Sequence, residues 1–235
     1  MRIIDRPSPN HGPRKAGGQT DILLLHYTGM ATGQAAVERL CDPAAQVSAH
    51  YVIDEDGTVF RLVDEDRRAW HAGVSFWAGE RDINARSVGI ELVNPGHEFG
   101  YRPFPEDQMA ALDALAADIL KRQPIPPCRV LAHSDVAPDR KEDPGELFDW
   151  ARLARSGIGL WPVPEPADEG PADLAALQTL LSRFGYQVER TGRLDKATRD
   201  VLTAFQRRFR PHFLSGEPDS DTVCRLRALL RHSGL

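Results

Sequence analysis

The sequence contains no run of about eighteen apolar residues, the length a helix needs to cross a bilayer, so no membrane span is expected. Cysteine is scarce: Cys41, Cys128 and Cys224 are the three in 235 residues. An odd number at wide spacing does not suit a disulfide framework, and no short Cys-Cys spacing of a metal finger is present. The basic excess of a nucleic-acid binder is also missing. Lys and Arg total 29 against 34 Asp and Glu, a formal net charge of -5, so no nucleic-acid partner held by phosphate contacts is expected. The opening stretch "MRIIDRPSPNHGPRKAGG" lacks the roughly seven-residue apolar core and the small-residue cleavage site of a secretory signal. Together with cysteines that read as reduced, this leads to the expectation of a cytoplasmic protein.

What the chain does have is a set of short apolar runs and periodic segments. "GIGLWPVPEPADEGPADL" (157–174) carries four prolines and three glycines, which remove backbone donors and weaken regular structure. It reads as a linker, dividing the chain into residues 1–156, a connection over 157–171 and a tail over 172–235. In the first part, "DILLLHYT" (21–28) and "SVGIELVN" (87–94) look like buried strands, and "RVLAHSD" (129–135) like a final strand. "SAHYVIDEDGTVFRLVDE" (48–65) holds two β-rich runs around Asp56-Gly57, a hairpin pattern. "GQAAVERLCD" (33–42) reads as a short helix. "PEDQMAALDALAADILKRQP" (105–124) reads as a longer one, with acids at its start, bases at its end and an apolar stripe through Met109, Leu112, Leu115 and Ile119. The expectation is an α/β fold with a mixed central sheet flanked by helices. The tail reads as a small all-α unit of three helices, 172–186, 195–209 and 219–232.

Some residues have the chemistry of a hydrolytic metal site. Such a site takes three N or O ligands and leaves a fourth position open. His26 ends the run "DILLLH", His133 ends "RVLAH", and Asp143 follows on the next loop. Strand ends in α/β sheets face the ligand crevice, so residues from two strand ends can converge. No short His-x-x-x-His pair supports them, and each histidine taken alone also fits an ordinary packed or surface position. Glu91 interrupts a strand that otherwise looks buried, and a buried carboxylate is costly unless it is paired or near a cation. It also fits an edge strand with its side chain in solvent, since Val88, Ile90 and Leu92 alternate with it. Lys141 lies two residues before Asp143, so on an extended loop both side chains point to one side.

The motifs "LLLHYTGM" (23–30), "SAHYVID" (48–54), "AWHAG" (69–73), "VGIELVNPG" (88–96) and "AHSDVAPDRKEDPG" (132–145) occur in the order found in the zinc-dependent N-acetylmuramoyl-L-alanine amidases. Residues 1–155 resemble that family, which is related to the peptidoglycan recognition proteins. The resemblance implies a zinc ion held by His26, His133 and Asp143. It implies Glu91 as the acid-base residue and Lys141 as the partner of the transition state. The implied reaction is hydrolysis of the amide between N-acetylmuramic acid and L-alanine of a stem peptide, with anhydro-muropeptide as the expected substrate in wall recycling. Among the expected substrate-binding residues, His50 and His71 are expected to line or support the groove, Trp70 to offer an aromatic face to sugar or peptide, and Asn94 to hold the stem peptide by hydrogen bonds. The tail resembles the small three-helix peptidoglycan-binding domain but departs from its pattern at "VERTGRLD" (188–195) and "RPHFLSGEPDSDT" (210–222). Peptidoglycan or its fragments are therefore the expected partners. Two alternatives are a non-catalytic muropeptide-binding protein, disfavoured because all three ligand types and Glu91 are present, and a periplasmic amidase acting on intact wall, which the tail favours.

Overall fold

A computed structural model describes residues 2–14, 19–170 and 172–234. The strands are β1 (Ile3–Asp5), β2 (His11–Pro13), β3 (Ile22–Tyr27), β4 (Tyr51–Ile53), β5 (Val59–Arg61), β6 (Arg67–Ala69), β7 (Ser87–Leu92) and β8 (Val130–Ala132). Among the described residues, six of them form one sheet in the order β1–β5–β4–β7–β3–β8, and β2 pairs with β6 separately. Pairing is parallel for β1–β5, β4–β7, β3–β7 and β3–β8, and antiparallel for β4–β5. The sheet is mixed, as its sequence pattern predicts. The β4–β5 hairpin turns at Gly57, whose φ of 79° is open to glycine at little cost.

The helices are α1 (Gly33–Cys41), α2 (Ile83–Arg86), α3 (Gly96–Phe99), α4 (Glu106–Arg122), α5 (His133–Val136), α6 (Trp150–Arg155), α7 (Leu174–Phe184), α8 (Lys196–Phe209) and α9 (Ser220–Ser233). Each tail helix begins at an aspartate whose side chain accepts a backbone N–H three residues on: Asp173 from Ala176, Asp195 from Thr198 and Asp219 from Thr222. Such caps are worth about 1 kcal/mol each. The two segments at which the tail departs from its family pattern are built alike. Gln178 reaches into the first and holds Thr191 and the Arg193 carbonyl, while Gln206 holds Ser215 and the Glu217 carbonyl in the second.

Alternation along β3 divides the core. Leu23 and Leu25 face one side, packing with Val88, Ile90 and the α4 stripe of Met109, Leu112, Leu115 and Ile119. Ile22 and Leu24 face the other, packing with Leu131, Trp77 and the tail residues Leu181, Phe184, Phe205 and Phe209. The tail helices thus form the third layer of a helix–sheet–helix stack. The same seam holds a buried ion pair between Arg208 of α8 and Asp135 of α5 at 2.5 Å, and the Tyr186 hydroxyl donates to that carboxylate at 2.5 Å. The proline-rich stretch is not featureless: Ile158 is buried in the first core and Trp161 packs against both, although Pro171 at its end lies outside the described residues.

One strand differs from its sequence reading. The run expected over 129–135 is strand only at Val130–Ala132, and His133 opens the single helical turn α5 instead of closing the strand. The Asp135 carboxylate accepts the Ala132 N–H at 2.9 Å, which bends the chain into that turn.

Candidate active site

Sheet register brings the site together. In the β3–β7 pair His26 lies opposite Glu91, and in the β3–β8 pair Leu25 lies opposite Ala132, the residue before His133. These parallel strands end on one edge, where ligands of α/β sheets bind. His26 and His133 therefore leave neighbouring strands side by side. Asp143 returns on the loop after α5, its carbonyl accepting the Ser134 N–H at 3.0 Å. The result is a triangle of ligand atoms. His26 Nδ1 and His133 Nδ1 are 2.9 Å apart, and each is 3.0 Å from Asp143 Oδ2. All three side chains are buried.

The hydrogen bonds behind the triangle assign its protons. His133 Nε2 lies 3.1 Å from the Ala72 carbonyl, which only accepts, so this nitrogen carries the hydrogen and Nδ1 keeps its lone pair. On the other side, Ser87 Oγ donates to the Ile83 carbonyl at 2.7 Å and sits 3.3 Å from His71 Nε2, which must donate to it. His71 Nδ1 is then an acceptor, 3.0 Å from His26 Nε2, and His26 Nδ1 is left bare. Both imidazoles thus aim unprotonated Nδ1 atoms at the Asp143 carboxylate. This relay needs Gly89 on β7, because a Cβ there would stand 2.6 Å from the His71 ring.

Electrostatics favour the neutral form of His26 and of His71 behind it. Burial pushes His26 down to about 4, the nearby His133 adding to the effect and Asp143 opposing it. Burial would raise the Asp143 carboxyl, but the positive charge that its histidine neighbours or a cation in their place can carry outweighs it and holds the group well below the usual carboxylate range. Burial and the neighbouring His26 also hold His71 well below its ordinary value. Two neutral imidazoles and an ionised carboxylate form a divalent-metal donor set. Ligands about 2.0–2.1 Å from a tetrahedral zinc stand roughly 3.3 Å apart. The observed triangle is slightly tighter, so the residues fit such an ion with little movement.

Glu91 points to the same face as His26. It does not lie on an edge strand: β7 pairs with β3 and β4 on its two sides. Val88, Ile90 and Leu92 supply the opposite, apolar face. Glu91 Oε2 is sealed from solvent without a hydrogen-bond partner. Burial, reinforced by the Asp143 charge and opposed by Lys141, pushes its pKa well above the ordinary value. Glu91, Lys141, His71, His133 and Asp143 line one cavity of about 430 Å³, which Tyr27, Arg39, Trp70 and Arg140 also line.

The four residues expected to bind or support the substrate divide. Trp70 and His71 line the cavity, His71 at the same time backing His26. His50 and Asn94 are fully buried and belong to the frame, so His50 supports the groove from beneath and direct substrate contact is corrected for Asn94. His50 Nδ1 accepts the Gly89 N–H at 2.9 Å beneath the relay. Asn94 donates to the Arg102 carbonyl at 2.8 Å and accepts the Gly96 N–H at 3.0 Å, holding the loop after β7. Sequence reasoning missed Arg14, whose guanidinium bonds the Glu65, Ala85 and Ser87 carbonyls and packs against His50, and it missed Asp135. The separation of Arg14 from its partners left no local signal. Asp135 could have been suspected from its spacing to His133 in "AHSD".

Fold and site together define a hydrolase with a metal-capable centre. The N-acetylmuramoyl-L-alanine amidase family model matches residues 16–146, and the chain belongs to that family. It is accordingly an enzyme, a peptidoglycan amidase. The peptidoglycan binding domain model matches residues 171–226. The chain is 39% identical to the N-acetylmuramoyl-L-alanine amidase AmiD of Escherichia coli K12, over 91% of this chain and 83% of that protein. It is 34% identical to the 1,6-anhydro-N-acetylmuramyl-L-alanine amidase AmpD of the same organism, over 63% of this chain and 87% of AmpD. Two solved structures are similar throughout. AmiD of E. coli, in complex with anhydro-N-acetylmuramic acid-L-Ala-D-gamma-Glu-L-Lys, superposes with a TM-score of 0.81 at 37% identity, covering 97% of this chain and 93% of that one. AmpDh3 of Pseudomonas aeruginosa, in complex with anhydromuramic pentapeptide, superposes with a TM-score of 0.82 at 34% identity, covering 97% and 95%.

Proposed function

We propose that this amidase binds one zinc ion through His26, His133 and Asp143 and cleaves anhydro-muropeptides between the lactyl group of N-acetylmuramic acid and L-alanine. The observation that carries the reading is the buried triangle of two bare Nδ1 atoms and a carboxylate oxygen, with Glu91 lining the same cavity and its Oε2 left without a partner. Zinc held there supplies Lewis acidity, lowering the pKa of water and polarising a carbonyl oxygen. Glu91 takes a proton from the attacking water. Its raised pKa lets it keep that proton until the carbon–nitrogen bond breaks, and then deliver it to the leaving alanine amine. Lys141 places positive charge beside the oxygen on which negative charge develops. The anhydro-muropeptide preference is supported by the complexes of the two similar structures.

The proposed division is an amidase domain over 1–156, a connection over 157–171 and a peptidoglycan-binding-type domain over 172–235. The proposed location is the cytoplasm, supported by three thiols that are all free. Cell fractionation of the native protein tests the location, and recovery from the periplasm would overturn it.

Metal analysis and turnover of a defined anhydro-muropeptide test the chemistry. The wild type is expected to hold one zinc per chain and to release the stem peptide with a free alanine amine. His133→Ala is expected to lose both. Full zinc occupancy in His133→Ala would overturn the ligand assignment. Faster cleavage of intact sacculi than of soluble fragments would overturn the substrate.

A further inference from the structure

The buried group at the seam that the reaction does not use is Asp135, and it leads to the metal ligands. Asp135 sits two residues after His133 in α5, a single turn of four residues. A helix this short has no stability of its own, because the cost of nucleation is never recovered by propagation. Something outside it must hold it. Within the first domain, the Asp135 carboxylate accepts the Ala132 N–H. Its other partners come from the tail: Arg208 Nη1 at 2.5 Å and the Tyr186 hydroxyl at 2.5 Å. The same guanidinium donates to the Val130 carbonyl at 2.7 Å, so it grips β8 and α5 together. It is clamped in turn between the rings of Trp150 and Phe209, at 4.3 and 4.6 Å from their centres.

That turn bears on two of the three ligands. His133 is its first residue, and its Ser134 N–H holds the carbonyl of Asp143. We propose that Arg208 and Tyr186 are positioning residues for the metal centre, acting through Asp135, so that the helical tail completes the scaffold of the amidase site. Neither touches a ligand side chain. They fix the turn from which His133 projects and against which Asp143 is anchored. Neighbouring Arg207 extends the grip, with Glu142 at 3.2 Å and Glu146 at 3.6 Å on the loop that carries Lys141 and Asp143. The inference rests on the zinc reading proposed above.

The test is zinc affinity of the full chain, stripped of metal and titrated against a chromophoric chelator, with apo-protein melting recorded alongside. Outer partners of metal ligands are worth about 10–100-fold in affinity, and Arg208→Met is expected to weaken zinc by about tenfold. Arg231→Met is the control, since it breaks an ion pair at 2.8 Å between the tail and Asp168 of the connection and should lower melting while leaving zinc affinity within about twofold of wild type. Should Arg208→Met not fold, Tyr186→Phe, which removes a single hydroxyl, is judged by the same comparison. A folded variant that binds zinc as tightly as the control would overturn the proposal and leave the ion pair a purely structural one. A wild type that binds no zinc would instead overturn the metal reading itself.

Discussion

Replacing His50 with asparagine isolates the cost of burying a neutral imidazole beneath the site. Its Nδ1 accepts the Gly89 N–H and its Nε2 faces the Arg67 carbonyl at 3.1 Å. A second proton, on Nδ1, would set two N–H groups against each other and place a positive charge beside Arg14. Burial first, and Arg14 after it, push the pKa from 6.5 down to about 3. With the folded-state value lowered, the unfolded chain binds the proton first as the pH falls. The stability contributed is therefore complete above about pH 6.5 and is lost progressively as the pH drops toward 3. At 1.36 kcal/mol for each pH unit, the loss reaches about 3 kcal/mol at pH 4.5. That is a large part of the roughly 5–15 kcal/mol that holds a typical protein folded. Asparagine keeps an oxygen for the Gly89 N–H and has nothing to protonate. Urea unfolding of the metal-free protein at pH 7 and pH 4.5 is the assay, and metal release then adds nothing. The wild type should lose about 3 kcal/mol more than His50→Asn between the two conditions. Equal losses in the two proteins would refute the reasoning.

Three further outcomes are expected. Glu91→Gln should retain zinc and lower turnover by about 10²–10⁴-fold. Because the raised pKa marks a carboxylate that folding disfavours in its charged form, the same variant should melt higher than wild type at pH 7, by calorimetry of the metal-free protein. Lys141→Met should cut kcat about 10²–10³-fold while zinc content, read by elemental analysis, stays at the wild-type level. Removing residues 157–235 uncovers the face of Ile22, Leu24, Leu131 and Val136, each now at most 1% exposed. At about 1.5–3 kcal/mol per side chain this approaches the whole stability of a domain, so the truncated chain should appear in the pellet rather than the supernatant after expression.

Apolar runs were enough to find β3 and β7, and periodicity to find α4 and the tail helices, because each buries a stretch long enough to show its pattern. β1, β2 and β6 span only three residues apiece, too short for any period to show, and their pairing is decided by tertiary contacts. The ligand set was readable as three candidate residues, but its convergence is a property of register: nothing in the spacing of His26, His133 and Asp143 says that Leu25 will lie opposite Ala132. Glu91 was legible as an anomaly, and only the position of β7 inside the sheet decides which way it points. The tail was legible as three amphipathic helices. That α8 also buries Arg207 and Arg208 was not, since charged residues in a last helical turn ordinarily read as solvated partners of the helix dipole.

The seam between tail and sheet also decides how the enzyme could reach a polymer. A module on a slack tether searches a volume and raises the local concentration of its substrate without regard to direction. Here apolar side chains from both parts interlock, and Arg208 is locked into the amidase part. The tail therefore has a set distance and angle to the cavity. Any glycan strand it held would be presented at one offset from the cutting centre and in one orientation. Such an arrangement behaves as a ruler, selecting which bond along the strand is presented rather than how often the enzyme meets one.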